Sequence, residues 1–229
     1  MEREELSAVC HSGLPFANPL GEEKVVELIG ALALGAGSRV LDVGAGNGEI
    51  LRRIVARYGV RGIGLDPASP TSFDERTELR RARIEELTER DFDLVVNVAA
   101  SHAFGRWHEA LEALSGLVRP GGLVLFGEGY WRRPPTEEYL DALGGATEDE
   151  LSDYSGLMSA AEDAGLTPLY ASVASDADWD RYEWTQILNS ERHGHPALRE
   201  RAQRARRRLT MAGGRDTLGF ALVLLTRNS

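Results

Sequence analysis

The sequence predicts an α/β protein, an open and mostly parallel sheet covered by helices on both faces. Three observations predict it. Short apolar runs alternate with amphipathic stretches across residues 22–131. A turn rich in glycine, "VGAGNGE", joins one apolar run to the amphipathic stretch after it. A last apolar run, "TLGFALVLLTR", follows a long helical segment.

Residues 22–34, "EEKVVELIGALAL", set Val25, Val26, Leu28, Ile29 and Leu32 at helical spacing, and "GAGS" ends that helix. "RVLDVG" reads as a short buried strand, and "GEILRRIVARYG" as an amphipathic helix with Ile50, Leu51, Ile54 and Val55 on one side. "VRGIGLD" is a second strand ending at Asp66, and 67–78 is a polar loop. A third strand is placed at "LRRARIE". A fourth follows at 92–100, "FDLVVNVAA", then a helix at 107–118, a turn at "RPGG" and a fifth strand at 123–131. Residues 136–165 hold two helical stretches broken at "LGG", and "TPLYASVAS" is a strand. Residues 178–208 read as helical with a break at "HGHP", and the final strand spans 217–227.

A length of 229 residues suits one domain. Residues 1–35 form an N-terminal arm and helix, 36–131 a ligand-binding core, and 132–229 a second half carrying the helical segment.

The net charge of −10 weighs against nucleic acid or an anionic membrane as partner. Cys10 stands alone, so neither an intrachain disulfide nor a thiolate metal cage can form. The start is acidic and polar, and no apolar run is long enough to cross a bilayer. These features place the protein in the cytosol, with no membrane partner and the oligomeric state open.

A strand, a glycine turn and a helix present backbone amides at the strand's carboxyl edge, where open α/β sheets bind ligands. The glycines run Gly44-x-Gly46-x-Gly48, whereas the dinucleotide fingerprint would put its third glycine where Glu49 stands. An acid there opposes a pyrophosphate. Asp66, 22 residues after Gly44, can accept both hydroxyls of a ribose. The turn therefore suits a nucleoside without a phosphate chain, and Asp42 could face a ligand's ammonium group.

"VLDVGAGNGE", "GIGLD", "FDLVVNVAASHAF" and "LSGLVRPGGLVLFGEGYW" together resemble the ordered motifs of class I S-adenosylmethionine-dependent methyltransferases. The resemblance covers roughly residues 20–131, and the reversed last strand matches as well. It implies a Rossmann-like, seven-stranded, mostly parallel sheet with the last strand antiparallel and a helical insertion before it. S-adenosyl-L-methionine is the implied cofactor, leaving as S-adenosyl-L-homocysteine. Gly44, Ala45 and Gly46 would approach its amino-acid and ribose portions, Asp66 would hold the ribose, and Pro67 would lie near the adenine. Arg83 and Ile84 would stand at the adenine, although many relatives have an acid where Arg83 is. A backbone contact or Glu85 must then bond the adenine amino group. Asn97 would line the methionine end.

His102 is the one ionisable side chain in "NVAASHAFG". It reads as a general base or substrate partner, or as a histidine packed at a helix start. The segment does not resemble the Asn-Pro-Pro-aromatic signature of adenine and glutamine amino-methylating enzymes, and Cys10 lies outside any catalytic position, which disfavours that branch and cytosine C5 methylation. Glu128 either meets a cationic substrate or pairs with Arg132 or Arg133, and Tyr130 and Trp131 can wall an apolar pocket. Trp179 and Tyr182 share a helix face, as a lid over the substrate or as packing; Trp184 points elsewhere, and Glu183 could serve a polar substrate. Phe16 and Asn18 are candidates for closure over the cofactor. "ALRERAQRARRRL" holds six arginines, either a face for nucleic acid or a solvated helix. His193 and His195 lack companion ligands, and no metal site is assigned.

The acidic charge and aromatic helix favour a small-molecule acceptor. The alternatives are an RNA or protein methyltransferase using the arginine-rich helix, a non-catalytic cofactor-binding protein, and, opposed by the glycine spacing, an NAD-dependent oxidoreductase.

Overall fold

The structure is a computed structural model that describes residues 2–69 and 71–228. Along the chain run α1 (Arg3–Cys10), α2 (Glu22–Ala31), β1 (Arg39–Val43), α3 (Glu49–Tyr58), β2 (Arg61–Leu65), β3 (Ser72–Phe73), β4 (Thr77–Arg80), β5 (Phe92–Val98), α4 (Trp107–Leu117), β6 (Val118–Trp131), α5 (Glu137–Ala142), α6 (Tyr154–Asp163), β7 (Leu166–Val173), α7 (Asp176–His193), α8 (Pro196–Thr210) and β8 (Leu218–Arg227).

The strands form one sheet in the order β3-β4-β2-β1-β5-β6-β8-β7. β1 pairs in parallel with β2 and β5, β2 with β4, and β5 with β6. β8 runs the other way. Thr226 and Arg227, at its end, donate to the carbonyls of Gly122 and Val118, near the start of β6. The predicted seven strands are present, and an eighth, the two-residue β3, pairs antiparallel with β4 at the sheet edge.

The third strand is a correction. It lies at Thr77–Arg80, not along "LRRARIE". Thr77 and Leu79 point inward, and Arg80 is held between Glu78 (2.8 Å) and Glu89 (2.9 Å). Beyond Arg80 the alternating Ala82 and Ile84 are only half-buried and pair with no strand among the described residues, and Ile84–Glu86 forms a single tight turn. The helix at α1 was not foreseen, because eight residues are too few to carry a clear periodic signal.

The chain packs as two compact units. The sheet unit contains Glu22–Glu128, Ser155–Ser172 and Ala221–Ser229; the helical unit contains Met1–Gly21, Gly129–Tyr154 and Val173–Phe220. In the sheet unit Val40 and Leu41, neighbours on β1 whose side chains face opposite ways, are fully buried, as a strand covered on both faces requires. From β1 the chain crosses through α3 to β2 on one side, and from β5 through α4 to β6 on the other. Right-handed crossovers in opposite directions put α3 and α4 on opposite faces. The direction of travel reverses between β1 and β5, which makes their carboxyl ends the switch point where such sheets bind ligands.

In the helical unit α7 packs on α1 and α8, and α8 on α5. Ser175 caps α7 by accepting the Asp178 N–H at 3.2 Å, and Gly194 ends it in the left-handed region at φ +77°. His195 Nδ1 then accepts the Ala197 N–H at 3.3 Å and Pro196 opens α8, so "HGHP" breaks one helical run into two.

Candidate active site

The glycine turn leaves β1 through three left-handed residues, with φ +76° at Gly44, +54° at Gly46 and +75° at Gly48. Each serves a different end. A Cβ on Gly44 would lie 2.2 Å from the Ala100 Cβ, so this glycine lets β1 meet the turn after β5. A Cβ on Gly48 would lie 2.9 Å from both Leu79 methyls, so this one seats α3 on the sheet. A Cβ on Gly46 would meet nothing within 4 Å, so its backbone borders open space and forms the surface a ligand approaches.

Asp66, at the end of β2, organises this surface. Its Oδ2 accepts the Gly46 N–H at 2.9 Å, and its Oδ1 accepts those of Ala68 (2.8 Å) and Ser69 (3.2 Å). The Ser69 hydroxyl donates to the Gly46 carbonyl at 2.5 Å. Three amides orient a half-buried carboxylate that has further lone pairs to offer hydroxyl groups. Ala45 is tied to this edge through its N–H on the Leu65 carbonyl at 3.1 Å, and Pro67 is exposed beside it. Glu49 turns to Arg53 at 2.8 Å, so its charge is balanced on α3.

Two buried polar side chains lie close by. Asp42 is 3% exposed, and burial, helped by the charge of Asp66, lifts its pKa to about 7. Asn97 is fully buried. Its amide group donates to the carbonyls of Val43 (2.9 Å) and Ala100 (3.1 Å), which fixes the orientation of the side chain. Its Oδ1 has no donor among the described residues. A bare buried acceptor is costly unless a ligand supplies the proton. Ala99 follows β5 at φ +56°, held by its N–H on the Gly127 carbonyl at 2.8 Å. The turn Ser101–Ala103 then leaves His102 exposed. On the other side Arg83 bonds Glu86 Oε1 through its N–H at 2.7 Å and is exposed, and Ile84 is half-buried.

Open backbone at Gly46, an amide-oriented acid, a second buried acid and an orphaned acceptor fit S-adenosylmethionine, which offers ribose hydroxyls and an ammonium group. Ala99, Ala100 and Ser69 were missed in the sequence. Small residues after a strand look ordinary, and only the positive φ at Ala99 sets that turn apart.

The helical unit holds a cavity of about 410 Å³ among the end of α5, α7 and α8. Trp179 and Tyr182 line it together, their rings meeting edge-on at 6.2 Å, while Trp184 is exposed. The other substrate candidates lie elsewhere. Phe16 is buried, and the Asn18 side chain accepts the Leu20 N–H at 3.0 Å within its own turn. The Trp131 ring packs edge-on against Tyr139 and donates to the Glu148 carbonyl at 2.8 Å. Tyr130 packs against Tyr154 and the bare face of Gly219. Glu128 ends its segment of the sheet unit half-buried, and Arg132 and Arg133 pair with Asp176 (2.8 Å) and Asp216 (3.1 Å).

Four of the six arginines of α8 are matched by acids within the same unit. Arg204 pairs with Glu200 (2.7 Å), Arg207 with Asp141 (3.0 Å) and Glu138 (3.3 Å), Arg206 with Glu191, and Arg208 with Glu183. The last pair is nearly buried, at 12% and 8% exposure.

A family model described as a methyltransferase domain matches residues 20–195. The uncharacterised protein YjhP of Escherichia coli K12 is 30% identical over 205 residues, covering 84% of this chain and 83% of that one. Its crystal structure superposes with a TM-score of 0.84 at 26% identity, covering 98% of this chain and all of that one. An S-adenosylmethionine-dependent methyltransferase of Thiobacillus denitrificans, crystallised with S-adenosyl-L-homocysteine, gives a TM-score of 0.82 at 25% identity over 100% and 99% of the two chains. The 27-O-demethylrifamycin SV methyltransferase of Amycolatopsis mediterranei is 30% identical over 180 residues, covering 69% of this chain and 64% of that one. With the switch-point geometry described above, these matches place the chain in the class I S-adenosylmethionine-dependent methyltransferase family.

Proposed function

We propose that the chain transfers a methyl group from S-adenosylmethionine to a small organic acceptor, not to RNA or protein. The observation that carries this reading is the pairing of α8. Arg204, Arg206, Arg207 and Arg208 each face an acid of their own unit, so four of the six arginines of the most basic run in the sequence are balanced, where a polyanion would need a face of excess positive charge. The relative from Amycolatopsis is named for an acceptor of the small-molecule class, which supports the same reading. Trp179 and Tyr182 are the proposed acceptor contacts, because they line a cavity of small-molecule size.

S-Adenosylmethionine supplies a methyl carbon activated by a sulfonium. The protein's part is to hold the acceptor's lone pair in line with the departing sulfur and to keep water away. Where the acceptor begins protonated, His102 is the proposed base, since it is exposed on the turn that follows β5.

Chromatography on heparin and on immobilised RNA at low salt tests the choice of acceptor class. The chain is expected to flow through. Retention that disappears when Arg204, Arg206, Arg207 and Arg208 are changed to alanine would overturn the small-molecule reading.

A further inference from the structure

The cavity in the helical unit has more donors than acceptors. Arg201, Arg204 and Arg208 line it against a single carboxylate, Glu183. Arg208 is committed to Glu183, and Arg204 to Glu200. Arg201 donates once, from Nη2 to Gln186 Oε1 at 3.3 Å, and no carboxylate pairs with it among the described residues. One guanidinium charge therefore stands unmatched at the cavity wall.

The hydrogen-bond chain behind that wall fixes where the surplus falls. His11 Nδ1 donates to the Ser7 carbonyl at 2.9 Å, so its Nε2 is the acceptor for the Tyr182 hydroxyl at 3.0 Å. Burial pulls the His11 pKa below its ordinary value and raises that of Tyr182, so this pair stays neutral. Gln186 bonds the Tyr182 oxygen with its amide and gives its own oxygen to Arg201. Along this chain the acceptors of Gln186, Tyr182 and His11 are each engaged by a neighbour's donor. The remaining N–H groups of Arg201 are left over, together with Trp179 Nε1–H, which is buried and has no partner among the described residues. The rest of the lining includes apolar surface from Leu143, Ile187 and Leu218.

We propose that this cavity binds a small organic monocarboxylate, with its carboxylate on Arg201, the Trp179 N–H as a second donor to the ligand, and its apolar body against the aromatic rings. A single unmatched guanidinium suits one negative charge better than a phosphate dianion. The proposal rests on the small-molecule reading for its role in methyl transfer, but not for its occupancy: an acceptor seated here carries a carboxylate.

The test is calorimetry on the full chain saturated with S-adenosylhomocysteine. Phenylacetate, 4-phenylbutyrate, indole-3-acetate and 1-naphthoate are each titrated beside the corresponding primary amide. At least one carboxylate is expected to bind roughly tenfold or more tightly than its amide. Arg201→Gln should abolish that preference, and Trp179→Phe, which keeps the ring and removes the N–H, should weaken the same carboxylate. S-Adenosylhomocysteine affinity should be unchanged in both variants, which guards against misfolding. The proposal is overturned if no carboxylate binds below about 10 mM, if amides bind equally well, or if Arg201→Gln retains the preference. A carboxylate that binds but is never methylated removes the acceptor role and leaves the site standing. Heparin retention through the arginines of α8 would remove the small-molecule reading alone.

Discussion

Replacing Asp42 by asparagine should flatten the pH dependence of cofactor binding. Asp42 is buried beside Asp66, and its pKa of about 7 leaves it half protonated near neutrality. If only the carboxylate form accepts the ligand's ammonium group, the apparent dissociation constant is the intrinsic one multiplied by 1 + 10^(pKa − pH). That factor is about 11 near pH 6 and about 1.1 near pH 8, a tenfold change or roughly 1.4 kcal/mol. Calorimetry with S-adenosylhomocysteine at the two pH values should give this ratio for the native chain and a ratio near one for Asp42→Asn. Equal affinities in the native chain at both pH values, or a tenfold change surviving in the variant, would refute the reasoning.

The same group acts in the opposite direction on the stability of the ligand-free protein. Its folded pKa, about 7, lies above the unfolded value of 3.8. The folded state holds the proton more tightly, so this stabilising contribution is complete below about pH 3.8 and is gone above about pH 7. Its full size is roughly 4 kcal/mol as an upper bound. The melting temperature of Asp42→Asn should therefore rise relative to the native chain as pH increases across that window, while ligand affinity in the native chain strengthens.

Three other substitutions probe the two units. Gly44→Ala combines a left-handed φ of +76° with a Cβ placed 2.2 Å from that of Ala100, and should cost about 2–4 kcal/mol in denaturant unfolding; a loss below about 1 kcal/mol would mean the turn after β5 yields easily. Asp66→Ala removes the acceptor for three backbone amides and the proposed ribose contact, and should weaken S-adenosylhomocysteine binding by at least about tenfold; unchanged affinity would overturn the site assignment. Arg208→Ala strands Glu183 in a nearly buried setting and should cost about 3–5 kcal/mol, whereas Arg208→Met with Glu183→Leu should recover most of it. If single and double variants melt alike, the pair is not what holds α7 to α8.

The cofactor half of the fold was legible because its constraints are local. Each glycine of the turn takes a left-handed φ within a few residues of the end of β1, and Asp66 stands at a strand end that its own apolar run announces. The third strand was misplaced for a local reason too. "TELR" shows only two inward residues, and the alternation of Arg81 and Arg83 with Ala82 and Ile84 hides the point where the strand stops. α1 escaped notice because what holds it is distant: Asn189 donates to the carbonyls of Cys10 (3.0 Å) and Ser12 (2.8 Å), and His11 stacks on Tyr182 from 171 positions away.

That difference explains why the donor could be named from the sequence while the acceptor could not. The expected contacts to S-adenosylmethionine are largely backbone and acids at strand ends, and both follow from where strands stop. An acceptor is met by side chains, and the properties of a side chain depend on its partners. In the sequence Arg201 and Arg208 are two letters of one basic run. In the fold one is matched to a buried glutamate and the other is not, and only the unmatched one can hold an anion. Tyr182 likewise reads as an aromatic lid residue until His11 takes its proton and Gln186 its lone pair, which leaves its ring, and not its hydroxyl, for a ligand. On the proposed site, specificity is set by which polar groups the helical unit leaves unpaired. A change of acceptor would then need new partners for Arg201 and Trp179 and no change at all in the glycine turn.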